Sequence, residues 1–146
     1  SFKGKEERAK YILEKIEYSL LDHPGEYLLN KGDELHLEHI IPQKIRTKRS
    51  KQLYGDWESY LGVNAKDKHK KYAYTIGNLT LLAKILNIKA SNNPYSSKRA
   101  EYKKSSLQLN KQLVKGYNKF GYKQVEIRTK KLTSIALKIW SMEVVK

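Results

Sequence analysis

With 146 residues, 30 Lys and Arg against 15 Asp and Glu, and a net charge of +15, the chain is long enough for an apolar core of its own and strongly basic. It has no cysteine, which excludes a disulfide framework and a thiolate zinc site and fits a cytoplasmic protein. No run approaches the roughly 18 apolar residues of a membrane span, no basic face borders an uninterrupted apolar stripe, and no signal-peptide pattern opens the chain, so no membrane partner is expected. The basic residues are spread along the whole length rather than gathered in a tail. A surface of that kind repels itself unless a polyanion neutralises it, which makes DNA or RNA the leading partner; the bland alternative is the solubility bias of a lysine-rich organism.

In chain order, Ala9, Ile12, Leu13, Ile16 and Leu20 recur at helical spacing, so residues 5–21 read as an amphipathic helix with Glu and Lys on its other positions. Asp22-His23-Pro24-Gly25 is its stop signal. Glu34 to Ile41 reads as a strand running into a loop at Pro42. Residues 43–72 are polar and carry the basic run Lys44 to Lys51, which predicts an exposed excursion with a short helix at Trp57–Leu61. Tyr72 to Leu82 is rich in aromatic and β-branched residues and is interrupted at Gly77-Asn78, which predicts a β-hairpin. Ala83–Ala90 reads as a short helix, residues 95–115 as one long basic helix with Tyr102, Leu109 and Leu113 inward, and Gln124–Val144 as a final core helix. The expected fold is α+β and mostly helical, in one domain over residues 1–146.

Chemistry concentrates in Glu38-His39-Ile40-Ile41-Pro42 and in Asn78-Leu79-Thr80-Leu81-Leu82 followed by Asn87. An imidazole near its ordinary pKa can take a proton from water at neutral pH, so His39 is a candidate general base. Glu38 is a suitable ligand for magnesium or manganese, although on a regular strand it would point away from His39. Asn87 offers an amide oxygen as a second ligand, and a site with only two protein ligands leaves positions for water and phosphate. Asn78 can either fix the loop that holds the histidine or serve a left-handed turn for purely structural reasons.

Glu-His-Ile-x-Pro, then Asn-Leu-x-Leu-Leu, then an Asn nine positions after the first, resembles the HNH endonuclease signature. The resemblance implies a ββα-metal hairpin-and-helix motif, at about residues 34–92, embedded among several α-helices. It implies catalytic roles for His39 as base and Asn78 as the loop-orienting residue, and one Mg2+ or Mn2+ held by Glu38 and Asn87. It also implies products with 5′-phosphate and 3′-hydroxyl ends. Glu38 stands where many members have Asp. Ala83 and Leu86 stand where many have one of two zinc-binding Cys pairs, so no structural zinc is expected. A narrower resemblance spans nearly the whole chain. His36 to Gln43, Trp57, Ile76 to Leu82, Ser91 to Tyr95 with Lys98 and Tyr102, and Ile139-Trp140 are similar to the C-terminal nuclease domain of GmrSD-type restriction enzymes. That resemblance implies a DNA endonuclease or nickase in anti-phage restriction, with an N-terminal nucleotide-hydrolysing domain in the parent chain. The absence of an initial methionine agrees with a C-terminal piece.

Other residues have two readings each. His36 shares a strand face with Glu38 and is either a second-shell or substrate contact or a half-buried core histidine. Lys89, Lys98 and Arg99 either bind phosphate or form a solvated face. His23 and His69 read as solvent residues, and the eleven tyrosines either stack on unpaired bases or bury their rings in the core. Two other functions compete with the nuclease: a non-catalytic basic nucleic-acid-binding module, and an RNA-cleaving toxin.

Overall fold

The computed structural model describes residues 2–21, 34–45, 48–62 and 64–145. The expected helix stop at residues 22–25, with His23, lies outside them. In chain order the elements are α1 (Phe2–Ser19), β1 (Leu35–His39), α2 (Lys48–Tyr54), α3 (Trp57–Leu61), α4 (Ala65–Tyr72), a 3-10 turn (Ile76–Asn78), β2 (Leu79–Ala83), α5 (Lys84–Ala90), α6 (Tyr95–Tyr102), α7 (Gln108–Gly116) and α8 (Tyr122–Val145). The fold is α+β and mostly helical, and no helix among the described residues is long and apolar enough to cross a membrane.

The sheet is one antiparallel pair, with Leu35 opposite Ala83 and His39 opposite Leu79. Its alternation divides the core. Leu79 and Leu81 face a cluster containing Leu13 and Ile16 of α1, Leu109 of α7 and Leu132 of α8. Leu82 faces a second cluster of Ile40, Ile41, Trp57, Tyr95, Tyr102, Leu113, Phe120 and Val125. A strand buried on both faces reads as an apolar run, which is why Leu79–Leu82 lacks a polar stripe apart from Thr80. Thr80 is satisfied internally: its hydroxyl donates to Asn110 Oδ1 at 2.6 Å, and the Asn110 amide donates to Leu81 O at 2.7 Å, tying β2 to α7.

Three expectations fail for identifiable reasons. The predicted hairpin at Gly77-Asn78 does not form; α4 runs through Tyr72, and β2 pairs instead with a strand far back in the chain. Gly77 is small because α8 crosses it. A Cβ there would stand 2.2 Å from both the Val125 carbonyl and Thr129 Oγ1, and the Gly77 amide donates to that hydroxyl at 3.1 Å. The predicted helix over 95–115 breaks into α6 and α7 around Ser105, whose hydroxyl accepts the Leu107 amide at 3.2 Å and competes with the helical pattern. The restart is capped by Glu17 of α1, which is buried rather than solvated and accepts from the Gln108 and Leu109 amides at 2.9 and 2.8 Å. The excursion after Pro42 carries three short helices, and Trp57 is part of the core.

Substituting Gly77→Ala forces backbone atoms of α8 away from β2, so it should cost about 1–3 kcal/mol or more of unfolding free energy in urea titration. Gly116→Ala, with nothing within 4 Å of the new Cβ, is the control and should cost none.

Candidate active site

Strand alternation sends Glu38 toward Leu82 and the α6 side, and His39 toward Leu37, Leu79 and α1. The chain then bends at Ile40 and Ile41, and the bend is held by Asn78. Its Oδ1 accepts the Ile41 amide at 2.7 Å, and its amide nitrogen donates to Ile41 O at 2.9 Å and Ala73 O at 3.0 Å. Its backbone carbonyl accepts the Ile40 amide at 2.9 Å. Asn78 is fully buried, so it touches no substrate; of the two readings open to it, the structure has the loop-fixing one. What it holds is the Ile40–Ile41 bend that follows His39.

Because β1 ends here, Glu38 and His39 reach a common cleft of about 290 Å3, together with Gln43, Lys44, Asn87 and Asn92. Asn87 comes from α5, which starts directly after β2 and packs on both strands. The Asn87 carboxamide makes no side-chain hydrogen bond among the described residues. A roomier depression, about 720 Å3 along α8 by Thr129, Thr133 and Leu137, holds no acid, imidazole or carboxamide and is chemically bland.

Glu38 is buried to 4 % exposure. Its Oε1 accepts from Lys98 Nζ at 3.2 Å, while Oε2 is buried without a partner. The Tyr102 hydroxyl faces the same carboxyl but falls outside hydrogen-bonding geometry. Burial pushes the Glu38 carboxyl up, against the opposing pull of the Lys98 charge, and pushes the Lys98 ammonium down, against the opposing pull of Glu38. Lys98 also donates to His39 O at 2.7 Å. Glu38 and Asn87 both line this cleft, a sparse oxygen set that would suit a hydrated hard ion. Among the described residues no group of three or more His, Cys, Asp or Glu converges.

The His39 imidazole is pushed down to about 4, first by burial and then by the charges of Lys98 and His69. It is therefore neutral at neutral pH. The Gln43 amide nitrogen stands 3.0 Å from Nε2 and 3.3 Å from Nδ1, and the Tyr74 ring meets the imidazole edge-on with centroids 5.8 Å apart.

Several expected positions change. Lys98 and Arg99 were candidates for phosphate contact, but Lys98 is wholly buried on Glu38, and Arg99 donates to Val114 O at 2.8 Å and Asn118 Oδ1 at 3.3 Å, closing the end of α7. An ammonium without solvent access cannot meet a phosphate. Lys89 is exposed on α5. His36 shares the face of Glu38 but lies outside the cleft, 3.6 Å from Glu34. His69 is not a solvent residue: its Nε2 lies 2.6 Å from Pro42 O, bracing the loop after the bend. Sequence reasoning also missed Arg128, buried on α8, which donates to Gly77 O at 2.8 Å and Leu79 O at 2.6 Å on either side of Asn78. Nothing in its sequence neighbourhood separates it from the many exposed cations.

A buried acid, a neutral imidazole and a carboxamide meeting at one cleft of a strongly basic α+β chain make up the functional groups of a nuclease-like protein. The chain belongs to the family described as GmrSD restriction endonucleases, C-terminal domain, whose model matches residues 2–135. No curated protein and no solved structure matches it significantly.

Lys98→Met leaves an uncompensated buried carboxylate and should cost about 3–5 kcal/mol in denaturant unfolding. The double variant Glu38→Leu Lys98→Met should recover most of that loss. Recovery smaller than about 1 kcal/mol would mean that the pair is not the reason for the loss.

Proposed function

We propose that this chain is a metal-dependent DNA endonuclease or nickase of the HNH type, in which β1, β2 and α5 form the ββα-metal unit. The observation that carries the reading is the meeting of Glu38, His39 and Asn87 at one cleft, with Glu38 Oε2 buried and unpaired. Glu38 and Asn87 would hold one Mg2+ or Mn2+. When bound, that cation would offset charge developing on the phosphate oxygens.

The remaining steps belong to the chain. His39 takes a proton from the attacking water, since its imidazole is already unprotonated at neutral pH. A base pushed down that far is weak, but the phosphate anion counters the neighbouring cations and lifts it toward neutrality when substrate is present. Gln43 holds the ring plane, and Asn78 holds the Ile40–Ile41 bend that aims it. Lys98 keeps Glu38 in one rotamer with Oε2 free. Membership of a restriction-endonuclease family favours a role in restriction; phage DNA as the target and an N-terminal nucleotide-hydrolysing domain as partner in the parent chain are part of the proposal.

The test is a supercoiled-plasmid digest. Nicked or linear product should form with Mg2+ or Mn2+, vanish with chelator, and fall by about 10²–10⁴-fold in His39→Ala. Asn87→Ala should raise the Mn2+ concentration needed for half-maximal cleavage. Equal cleavage by His39→Ala would remove that residue from the chemistry. Salt-sensitive binding with no product under any metal would favour the binding-module reading, and cleavage of RNA alone the toxin.

A further inference from the structure

The imidazole of His39 lies on the boundary between two clefts. On one side is the opening shared with Glu38 and Asn87; on the other is a cleft of about 400 Å3 between α1 and α4. Ala9, Leu37 and Leu79 line this second cleft, Tyr74 stands beside the imidazole, and Lys5 and Lys70 are the cations on it. Both lysines are exposed, and neither is engaged in an ion pair among the described residues. Glu6 is the one acid on the same lining, so the balance there is positive.

A phosphodiester carries a nucleotide on each of its two ester oxygens. A strand whose scissile phosphate sits at His39 must therefore leave the ring on both sides, and the Lys5–Lys70 cleft is the second exit. We propose that this cleft is a phosphate subsite for the strand flanking the cleaved bond, with Lys5 of α1 and Lys70 of α4 each neutralising a backbone phosphate on the side of His39 away from Asn87. The proposal rests on the reading of His39 as the base at the scissile phosphate. The two lysines take over the role expected of Lys98, which is buried on Glu38, and of Arg99, which is engaged by Val114 O and Asn118. They lie far apart in sequence, one in the first helix and one just before the turn that leads into β2, and the fold brings them to one rim.

The experiment measures binding of a duplex DNA by the full chain in chelator, by fluorescence anisotropy across a salt series, so that no cleavage is needed. Each phosphate contact contributes about 0.9 to the slope of log affinity against log salt, so Lys5→Ala Lys70→Ala should reduce its magnitude by about 1.8. Lys111→Ala Lys115→Ala removes the same charge from exposed positions on α7 and should leave the slope unchanged. A loss below 1, an equal loss in the α7 control, or no salt-dependent binding by the wild type would overturn the subsite. If the slope falls as expected while the plasmid stays uncut in Mg2+ and Mn2+, Lys5 and Lys70 stand as backbone-phosphate contacts with no cleaved bond to flank, and it is the nuclease reading that fails.

Discussion

An ammonium with no access to water holds the end of β1 where the candidate site needs it. Lys98 spends its charge on Glu38 Oε1 and its second hydrogen bond on the His39 carbonyl, so one side chain of α6 orients both adjacent site residues. Removing an ammonium and a carboxylate from water costs several kcal/mol per ion, and the attraction between them offsets this only with good geometry and further hydrogen bonds. The pair is therefore a weak source of stability and a strong source of specificity. It leaves one carboxylate oxygen of Glu38 unpaired and directed by a fixed rotamer, an arrangement that a solvated glutamate with three free torsions does not offer.

The other side of the site is anchored by backbone rather than charge. Asn78 spends both amide protons and one Oδ1 lone pair on Ile41 and Ala73, so the bend after His39 and the end of the α4 segment are tied to one side chain. Arg128 grips the carbonyls on either side of Asn78, and Gly77 lets α8 come close enough for that grip. Burial pushes the Arg128 guanidinium down to about 10, which still leaves it charged at neutral pH. A long C-terminal helix with no residue at the cleft thus governs the position of the imidazole through the turn beneath it.

Local patterns carried much of this. The amphipathic first helix, the strand ending at His39, the short helix bearing Asn87 and the final helix all follow from periodicity within a few residues, and the inward Tyr102, Leu109 and Leu113 are buried. What the sequence withheld was non-local. Gly77-Asn78 looks like a turn because glycine and asparagine serve turns, whereas here one yields space to a distant helix and the other reaches a bend 37 residues away. Glu17, Lys98 and Arg128 look like members of a solvated charged surface, and only their partners reveal them as internal. In a chain with 30 cations, composition cannot say which of them face solvent.

The charge arrangement has a consequence for how the proposed reaction is switched on. Glu38 and Lys98 together are close to neutral, Asn87 carries no charge, and Lys44 is the remaining charged side chain on the lining. Such a cleft has little negative potential with which to attract a divalent ion by itself, and hydrated magnesium gives up water reluctantly to two weak protein ligands. A phosphate anion reverses each of these terms. In the proposed reading it would supply oxygen ligands and negative charge beside Glu38, and it would offset the smaller, cationic part of an effect on the imidazole that comes first from burial. In this reading the site becomes competent when the strand arrives. On the proposed function, a domain with +15 of net charge would thereby be kept from holding a loaded metal centre in the absence of its substrate.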